Sequence, residues 1–526
     1  MALSGFPSQL GLGLDKINGF SGQISILLAA RFRWPTAWLN TGISKIVHML
    51  FNSLGFAVFL PVVFLLYWFV APQKRQWQNA LLLVASYYFY GCWDVRFLGL
   101  LLFSTLLDYF TARRIYLAGS PSLRKAWLLV SLFINLGLLG VFKYYHFFAE
   151  SMASLLSALG MESPLPVLSF ILPLGISFYT FHGLSYVLDV YHHKTAPEPN
   201  LVTYGLFVSF FPLLVAGPIE RATHLLPQVR RQRTFDYSRA TDGLRQMLWG
   251  LFKKMVIADS CAPFVNRVFD NPAAAGGSTL LLAAVLFAFQ IYGDFSGYSD
   301  IAIGTGRLFG FDLLRNFAFP YFSRDMAEFW RRWHISLSSW FRDYLYIPMG
   351  GSRGSRWMVT RNLLVIFAVS GLWHGANWTF LVWGLFNGCC VLPLVLMKTN
   401  RRHLGPVARG RSLPSPGELA AMLSTFGLTV LGWIFFRSLT LASGWQMIKG
   451  IFSPSLWSLP DWQPGPFALW LVIFLAVEWV GREQPHALHR TALGWARPLR
   501  WTFYYLLVIA LFISRGQPRP FIYFQF

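Results

Sequence analysis

The chain has 526 residues, of which 55% are hydrophobic, 18% aromatic and only 13% charged. A soluble globular domain carries about 25% charged residues, so this composition excludes an ordinary soluble enzyme. The formal net charge of +22 is compatible with nucleic-acid binding. In so apolar a chain, the positive net charge is better explained by the positive-inside bias, the tendency of membrane proteins to keep Lys and Arg in their cytosolic loops.

Successive apolar runs predict an all-α polytopic membrane protein. A helix needs about 20 apolar residues to cross about 30 Å of hydrocarbon. Lipid cannot satisfy backbone hydrogen bonds, and the runs lack the two-residue alternation of a transmembrane strand, so we expect helices. We predict about 11–12 membrane segments, some of them re-entrant or interfacial: Phe51–Val70, Asn79–Trp93, Phe97–Phe110, Ala126–Phe148, Val167–Val190, Leu201–Ala216, Leu280–Ile301, Asn362–Trp378, Phe380–Met397, Leu419–Phe436, Pro466–Val480 and Trp501–Ser514.

Cationic loops set the predicted orientation. Lys and Arg cluster at residues 74–75, 113–125, 230–239, 253–254, 324–361 and 398–411. Placing these loops in the cytosol puts the start of the first span outside. Leu201–Ala216 then lies between two cytosolic loops and ends in FFPLLVAGP, so we expect it to enter the membrane and return on the same side.

Residues 1–48 differ in character from the rest of the chain. They are weakly hydrophobic, cationic around Arg31 and Arg33, and lack a cleavable signal pattern. The natural opening span, MLFNSLGFAVFLPVVFLLYW, begins at Met49. Met49 is therefore predicted as the native start, and the alternative is a loosely attached N-terminal extension. Residues 49–526 are predicted to form one membrane domain, with a catalytic core at about residues 290–384.

The four cysteines show no metal-ligand spacing and sit in or beside apolar runs: Cys92, Cys261, Cys389 and Cys390. We interpret them as packing residues, with no disulfide and no metal site.

Charged groups are concentrated unusually in WRRWHISLSSWFRDYLY, Trp330–Tyr346. At helical period, one face is aromatic and aliphatic: Trp330, Trp333, Leu337, Trp340, Phe341 and Tyr344. The opposite side is polar: Arg331, His334, Ser338 and Arg342, flanked by Arg332 and Asp343. This pattern predicts an amphipathic helix at the cytosolic boundary. On the pattern alone, we favour a surface anchor whose arginines contact lipid phosphates, with His334 as an incidental polar residue.

His374 lies in a second notable segment, the apolar hairpin predicted over Arg361–Met397. It follows Arg361 by 13 residues, which places it about 20 Å from the cytosolic edge. A charged side chain at that depth costs at least ~2.5 kcal/mol, so it is rare unless it faces a cavity and has a function. Burial favours the neutral imidazole, whose lone pair can accept a proton as a general base. The alternative is a histidine hydrogen-bonded within the helix bundle.

Further polar side chains interrupt apolar runs elsewhere. QIYGDFSGYSD contains Asp294 and Asp300, and FYTFHGLSYVLDVY contains His182 and Asp189. They could orient or neutralise the histidines and arginines, or hold helices together. For each residue taken alone, we favour the helix-to-helix role.

These motifs resemble those of a known family. FWRRWHISLSSWFRDYLY followed by GLWHG resembles the signature pair of the membrane-bound O-acyltransferases (MBOAT). LPLGISFYTFHGLSYVLDVY, FFPLLVAGPIER, GLFKKMVIAD and the terminal FIYFQF resemble the bacterial, alginate O-acetyltransferase-like branch. The resemblance runs from Met49 to Phe526. It departs at His182, where such members often carry Gln or Glu, so a third titratable group is expected in the chamber.

The resemblance implies a fold and an activity. The fold would be a ring of tilted helices around a central tunnel, in the bacterial inner membrane. The activity would move an acyl group from a cytosolic thioester, expected to be acetyl-CoA, to an extracytoplasmic polysaccharide. A periplasmic acetyltransferase of the serine-esterase (SGNH) type is the expected partner, and no tightly bound cofactor is expected.

Site roles follow from the same resemblance. The family's two active-site histidines correspond to His374, as general base, and His334, which would position or polarise the thioester. Phosphate binding is expected from Arg331, Arg332, Arg342 and the loop Gly350–Arg356, and oxyanion stabilisation from Trp373 or Asn377, with Trp333, Asp343 and Tyr344 in support. The competing hypothesis is a transporter or channel that relays protons through intramembrane His and Asp residues. It predicts inverted repeats, which the sequence lacks.

Overall fold

The computed structural model describes residues 49–526 except 73, 162–165, 169, 216, 463–464, 515–518, 520 and 523–526. The prediction about residues 1–48 lies outside this range. All regular structure in the described part is helical, which confirms the all-α fold class. The α-helices are α1 (Leu54–Leu65), α2 (Arg75–Gly91), α3 (Val95–Leu117), α4 (Pro121–Leu139), α5 (Tyr145–Ala158), α6 (Ile176–Tyr191), α7 (Leu201–Ser209), α8 (Phe211–Leu214), α9 (Ala222–Val229), α10 (Tyr237–Leu251), α11 (Asp259–Asp270), α12 (Gly277–Leu308), α13 (Met326–Arg332), α14 (Ile335–Phe341), α15 (Arg356–His374), α16 (Trp378–Leu396), α17 (Pro416–Arg437), α18 (Leu441–Ile451), α19 (Phe467–Gly481) and α20 (Arg497–Ile513).

Five helical segments in the described part are long and apolar enough to cross a membrane: Val95–Leu117, Pro121–Ala158, Gly277–Leu308, Trp378–Leu396 and Pro416–Arg437. Two shorter apolar segments are Leu54–Val70 and Phe467–Gly481. Each predicted membrane segment overlaps a helix. Four π-helical turns extend helices beyond their regular ends: Leu66–Val70, Gly140–Tyr144, Phe252–Ala258 and Arg342–Tyr346.

Two predicted segments are interrupted. The helix within Val167–Val190 begins only at Ile176, after Pro173 and a Gly175 with φ of 69° that starts the helix. Leu201–Ala216 is broken at Phe210, whose backbone (φ −56°, ψ 115°) leaves the helical region before Pro212 restarts it in α8. This break matches the helix-breaking signal that favoured a re-entrant segment.

The long helix α12 lies at the centre of the fold and is buried along most of its length. It packs closely against α10 because glycines face each other at the contact. A Cβ on Gly250 would lie 2.6 Å from the Gly297 carbonyl oxygen, closer than any real side chain allows. Small residues at such crossings let helix backbones approach in membranes.

Helices α15 and α16 form the predicted hairpin, joined by the three residues Gly375–Asn377. Their backbones touch at Gly371, where an added Cβ would lie 2.2 Å from the Phe380 carbonyl oxygen. His374 is the last residue of α15. The close hairpin therefore sets the position of this histidine.

The single amphipathic helix predicted for Trp330–Tyr346 is wrong. The chain forms α13 and α14, separated at Trp333 and His334, and His334 has left-handed backbone angles (φ 43°, ψ 55°). A crossing segment stabilises the break: Ala318 N–H donates to the Arg332 carbonyl, and Ile335 N–H donates to the Asn316 carbonyl. Periodicity cannot reveal such a tertiary contact. As a result His334, expected on the polar face, is 1% exposed.

Candidate active site

The fold brings His334 and His374 together. The break between α13 and α14 delivers one ring and the C-terminal end of α15 delivers the other. Their ring centroids lie 6.3 Å apart, and both residues are buried. Positive φ is uncommon for residues other than glycine, although histidine adopts it more often than most. His334 is one of six such residues in the described part of the chain, and it is held there by the crossing segment at residues 316–318.

Asn316 orients the His334 ring. Its side-chain oxygen lies 3.3 Å from His334 Nδ1 and also accepts a hydrogen bond from Ser336 Oγ, while its amide donates to Ser299. With the Asn316 oxygen as acceptor, Nδ1 carries the proton and Nε2 presents a lone pair. His334 Nε2 makes no hydrogen bond within the described part of the chain. The neutral ring can therefore accept a hydrogen bond at Nε2.

His374 packs among aromatic rings and borders an open space. Its ring centroid lies 5.1 Å from that of Trp383 and 5.4 Å from that of Phe436. Together with Lys143, Phe178 and other residues it lines a cavity of about 50 Å³. A single water molecule needs about 10–15 Å³, so the cavity is large enough to hold water. His374 is thus not sealed within packed side chains.

Unused hydrogen-bond donors surround the two histidines. Four tryptophans have a buried indole N–H that makes no hydrogen bond in the described part of the chain: Trp330, Trp333, Trp373 and Trp433. The Trp373 ring contacts both histidines, with centroid distances of 5.8 Å to His334 and 5.0 Å to His374. Trp333 contacts Trp433 at 4.9 Å, and both Trp433 and Trp330 contact Trp383, which packs against His374. An unsatisfied buried donor costs about 1–3 kcal/mol, and most buried polar groups are paired. This concentration of open donors is what a site for a polar ligand requires.

The predicted carboxylates Asp294 and Asp300 form ion pairs away from the histidines. Asp294 lies 2.8 Å from the Lys254 ammonium and accepts a hydrogen bond from the backbone of Ile522. Asp300 pairs with Lys253 at 2.5 Å. Both therefore link α12 to neighbouring segments, which is the helix-to-helix role.

His182 and the residues beyond the helix break also form local networks. His182 Nε2 accepts a hydrogen bond from the Glu220 N–H, so this ring secures the segment before α9. Tyr344 donates to Asp189 at 2.9 Å. Asp343 pairs with Arg342. The first two contacts connect α6 to the segment before α9 and to the π-helical turn after α14.

The predicted arginines fall into two groups. Arg331 donates to backbone carbonyls in the 400–403 segment, and Arg332 pairs with Glu328 at 2.9 Å, although both also line a cavity of about 350 Å³. Arg342, Arg353 and Arg356 are exposed, and Arg342 pairs with Asp343 through its Nε at 2.7 Å. Trp333, in contrast, is fully buried between aromatic rings.

The Asn377 side chain makes hydrogen bonds to the protein backbone. Its oxygen accepts from the Thr379 N–H and caps α16, while its amide donates to the Leu439 carbonyl. Of the two predicted oxyanion donors, Trp373 is the one with a free N–H.

Two site features were not predicted from the sequence. Asn316 carries no signal, because a polar residue in a loop is unremarkable until the loop is known to cross the helix break. Lys143 lies within the apolar run Ala126–Phe148, and the depth argument used for His374 would have identified it. Its ammonium donates to the Trp373 carbonyl and lines the His374 cavity.

The described residues also contain a cluster of metal-ligand types. Ligand atoms of Asp242, His486 and His489 lie within 4.8 Å of one another. The Asp242 carboxylate already pairs with Arg307 and Arg245, which compensate its charge. Burial raises the pKa of Asp242, but the hydrogen bond from His486 and the nearby positive charges outweigh it and hold the pKa well below its usual range. The cluster ties the segment after α19 to α10.

Comparison with known proteins points to one family. The sequence profile of MBOAT, the membrane-bound O-acyltransferase family, matches residues 194–423. The chain is 39% identical to "Probable alginate O-acetylase AlgI" of Azotobacter vinelandii over 415 residues, 78% of this chain and 80% of the relative. It is 35% identical to the protein of the same name from Pseudomonas putida over 508 residues, 91% of this chain and 100% of the relative. It is also 35% identical to "Peptidoglycan O-acetyltransferase" of Helicobacter pylori over 438 residues, 78% of this chain and 81% of the relative.

Proposed function

Because this chain belongs to the membrane-bound O-acyltransferase family and is an O-acyltransferase, we propose that it transfers an acetyl group from cytosolic acetyl-CoA to an extracytoplasmic polysaccharide. The observation that carries the proposal is the pair of buried histidines, 6.3 Å apart, beside a cavity and unused hydrogen-bond donors. The relatives' names, which describe acetylation of alginate and peptidoglycan, support both the acetyl group and the polymeric acceptor.

His374 is the general base. Its neutral imidazole takes the proton from an acceptor hydroxyl as the oxygen attacks the thioester carbonyl. The tetrahedral intermediate then collapses, the C–S bond breaks, and the proton on His374 passes to the departing thiolate. A positioned base contributes about 10²–10⁴-fold to such a reaction.

Trp373 and His334 complete the site. The free indole N–H of Trp373 is adjacent in sequence to the base and donates to the oxyanion. His334, with its proton on the Asn316 side, accepts a hydrogen bond at Nε2 and positions the donor through an amide N–H of the pantetheine arm. This geometry favours positioning over polarisation of the carbonyl, since polarisation would need a proton on Nε2.

Exposed cations gather the phosphates of the donor. Arg342, Arg353 and Arg356 suit this role because guanidinium groups bind phosphate through paired N–H donors. Arg331 and Arg332 line a cavity of about 350 Å³, while their N–H groups also hold the 400–403 backbone and the Glu328 carboxylate.

Orientation and partner complete the proposal. The cationic loops are cytosolic, and the first span begins on the periplasmic side of the bacterial inner membrane. The acetyl group leaves on that side and is received by a periplasmic acetyltransferase of the SGNH type, which modifies the polymer.

Proteoliposomes test the proposal. Labelled acetyl-CoA is supplied outside vesicles that enclose the acceptor oligosaccharide and the purified SGNH partner. We expect label inside the vesicles with the wild-type chain, and about 100-fold less label with Trp373→Phe, which keeps an aromatic ring but removes the indole N–H and part of the ring volume. Label that never crosses the membrane would contradict the proposal. Full transfer by Trp373→Phe would contradict its oxyanion role.

A further inference from the structure

Lys143 brings a positive charge to the cavity that His374 lines. It lies in the π-helical turn Gly140–Tyr144, inside the membrane-length segment Pro121–Ala158. The ammonium donates to the Trp373 carbonyl at 2.5 Å and sits 5.6 Å from the centre of the Trp373 ring. Within the described residues, no carboxylate compensates this charge.

The π-helical turn caps the helix that ends in His374. Lys143 satisfies the Trp373 carbonyl, and Tyr144 O–H donates to the Leu372 carbonyl at 3.1 Å. The last carbonyls of a helix have no hydrogen-bond donors within the helix, and here two side chains of the π-helical turn provide the donors. Single π-helical turns are frequent at functional sites. This turn is thus built to hold the end of α15.

Capping the end of α15 does not by itself explain why residue 143 is a charged lysine. Tyr144 performs the same task with a neutral hydroxyl, whereas a lysine charge in the hydrocarbon region costs at least ~2.5 kcal/mol. An ammonium carries three donors, and the Trp373 carbonyl uses one of them. The remaining donors are available to a ligand in the cavity beside His374.

In acyl transfer, the carbonyl oxygen is a group that a nearby positive charge would stabilise. Negative charge develops on the carbonyl oxygen in the transition state, and a fixed cation in a low-dielectric site stabilises it strongly. We propose that Lys143 provides the positive charge that stabilises the tetrahedral oxyanion, together with the Trp373 N–H. This inference rests on the proposed acetyl-transfer function. It adds no bond-making step, because the ammonium keeps its protons throughout.

The test compares Lys143→Gln, which keeps a donor for the Trp373 carbonyl but loses the charge, with Tyr144→Phe, which removes the neighbouring cap. Each protein is purified in nanodiscs and assayed with labelled acetyl-CoA, the purified SGNH partner and either of two final acceptors, a neutral cello-oligosaccharide or a uronate oligosaccharide. We expect Lys143→Gln to lose roughly 100-fold or more in kcat on both acceptors, with both KM values unchanged. Tyr144→Phe should lose less than about 10-fold, as expected for a purely supporting contact.

Other outcomes overturn the inference. Equal losses in the two variants would reduce Lys143 to a helix cap. A rise in the acceptor KM, or a loss confined to the uronate arm, would assign the charge to an acceptor carboxylate. If Lys143→Gln does not fold, Lys143→Arg replaces it, and loss of kcat despite the retained charge counts against the inference. His374→Ala separates the two hypotheses: an active His374→Ala protein refutes the proposed function, whereas an inactive one beside a fully active Lys143→Gln refutes only this inference.

Discussion

Replacing Gly371 by alanine should inactivate the protein without touching a reacting group. Gly371 lies one turn before His374 on α15, at the point where α15 meets the backbone of α16. The new methyl carbon would lie 2.2 Å from the Phe380 carbonyl oxygen and 3.4 Å from the Gly384 Cα. The nearest obstacle is backbone, so no side-chain rotation can relieve the clash.

The magnitude follows from the required displacement. Real Cβ contacts are not shorter than 3.0 Å, so the helices must separate by roughly 1 Å. Overpacking of this kind costs about 1–3 kcal/mol of stability. A misplacement of about 1 Å at a catalytic group costs about 100-fold in rate. We therefore expect kcat to fall about 100-fold while most of the protein remains folded.

The assay is acetyl transfer from labelled acetyl-CoA by purified protein, alongside thermal unfolding. Gly427→Ala is the matched control, because Gly427 lies on α17 with open space where its Cβ would be. That variant should keep its activity and its Tm. Wild-type kcat in Gly371→Ala would refute the argument that the hairpin contact positions His374.

Three further predictions concern other contacts. Asn316→Ala removes the partner of His334 Nδ1 and should lower kcat about 10-fold or more, measured with both acceptors. The hydrogen bond to the Glu220 carboxylate raises the pKa of His224, so this pair stabilises the fold below about pH 6.5 and loses that effect as pH rises through the raised pKa. The Tm difference between wild type and His224→Gln should therefore shrink between about pH 6 and pH 9. Glu478→Leu leaves two buried aromatic donors unpaired and should lower stability by about 2 kcal/mol or more, whereas Glu478→Gln should lower it less.

The sequence predicted those features that depend on local composition. Apolar runs must become helices in lipid, so each predicted run overlaps a helix, and the depth of His374 in such a run singled it out. The interruption at His334 could not be predicted, because its cause is a hydrogen-bonding segment brought from residues 316–318. Asn316 was missed for the same reason. Lys143, like His374, is an ionisable residue within an apolar run, but it lies outside the sequence motifs that drew attention to His374.

Asp294 and Asp300 show a second limit of prediction from sequence. Asp294 and Asp300 have the residue type and depth of catalytic groups, yet their partners are Lys254 and Lys253 on the segment after α10. A sequence shows that a buried charge needs a partner, but it does not show which partner the fold supplies.

The central claim is that the neutral imidazole of His374 removes the proton from the acceptor hydroxyl. The direct measurement is transfer of label from acetyl-CoA to an oligosaccharide, in the presence of the purified SGNH partner. It compares purified wild type, His374→Ala and His192→Ala, where His192 is an exposed histidine outside the site. We predict that His374→Ala folds like the wild type but shows no detectable transfer. His192→Ala should have wild-type activity. Transfer by His374→Ala at the wild-type rate would contradict the account.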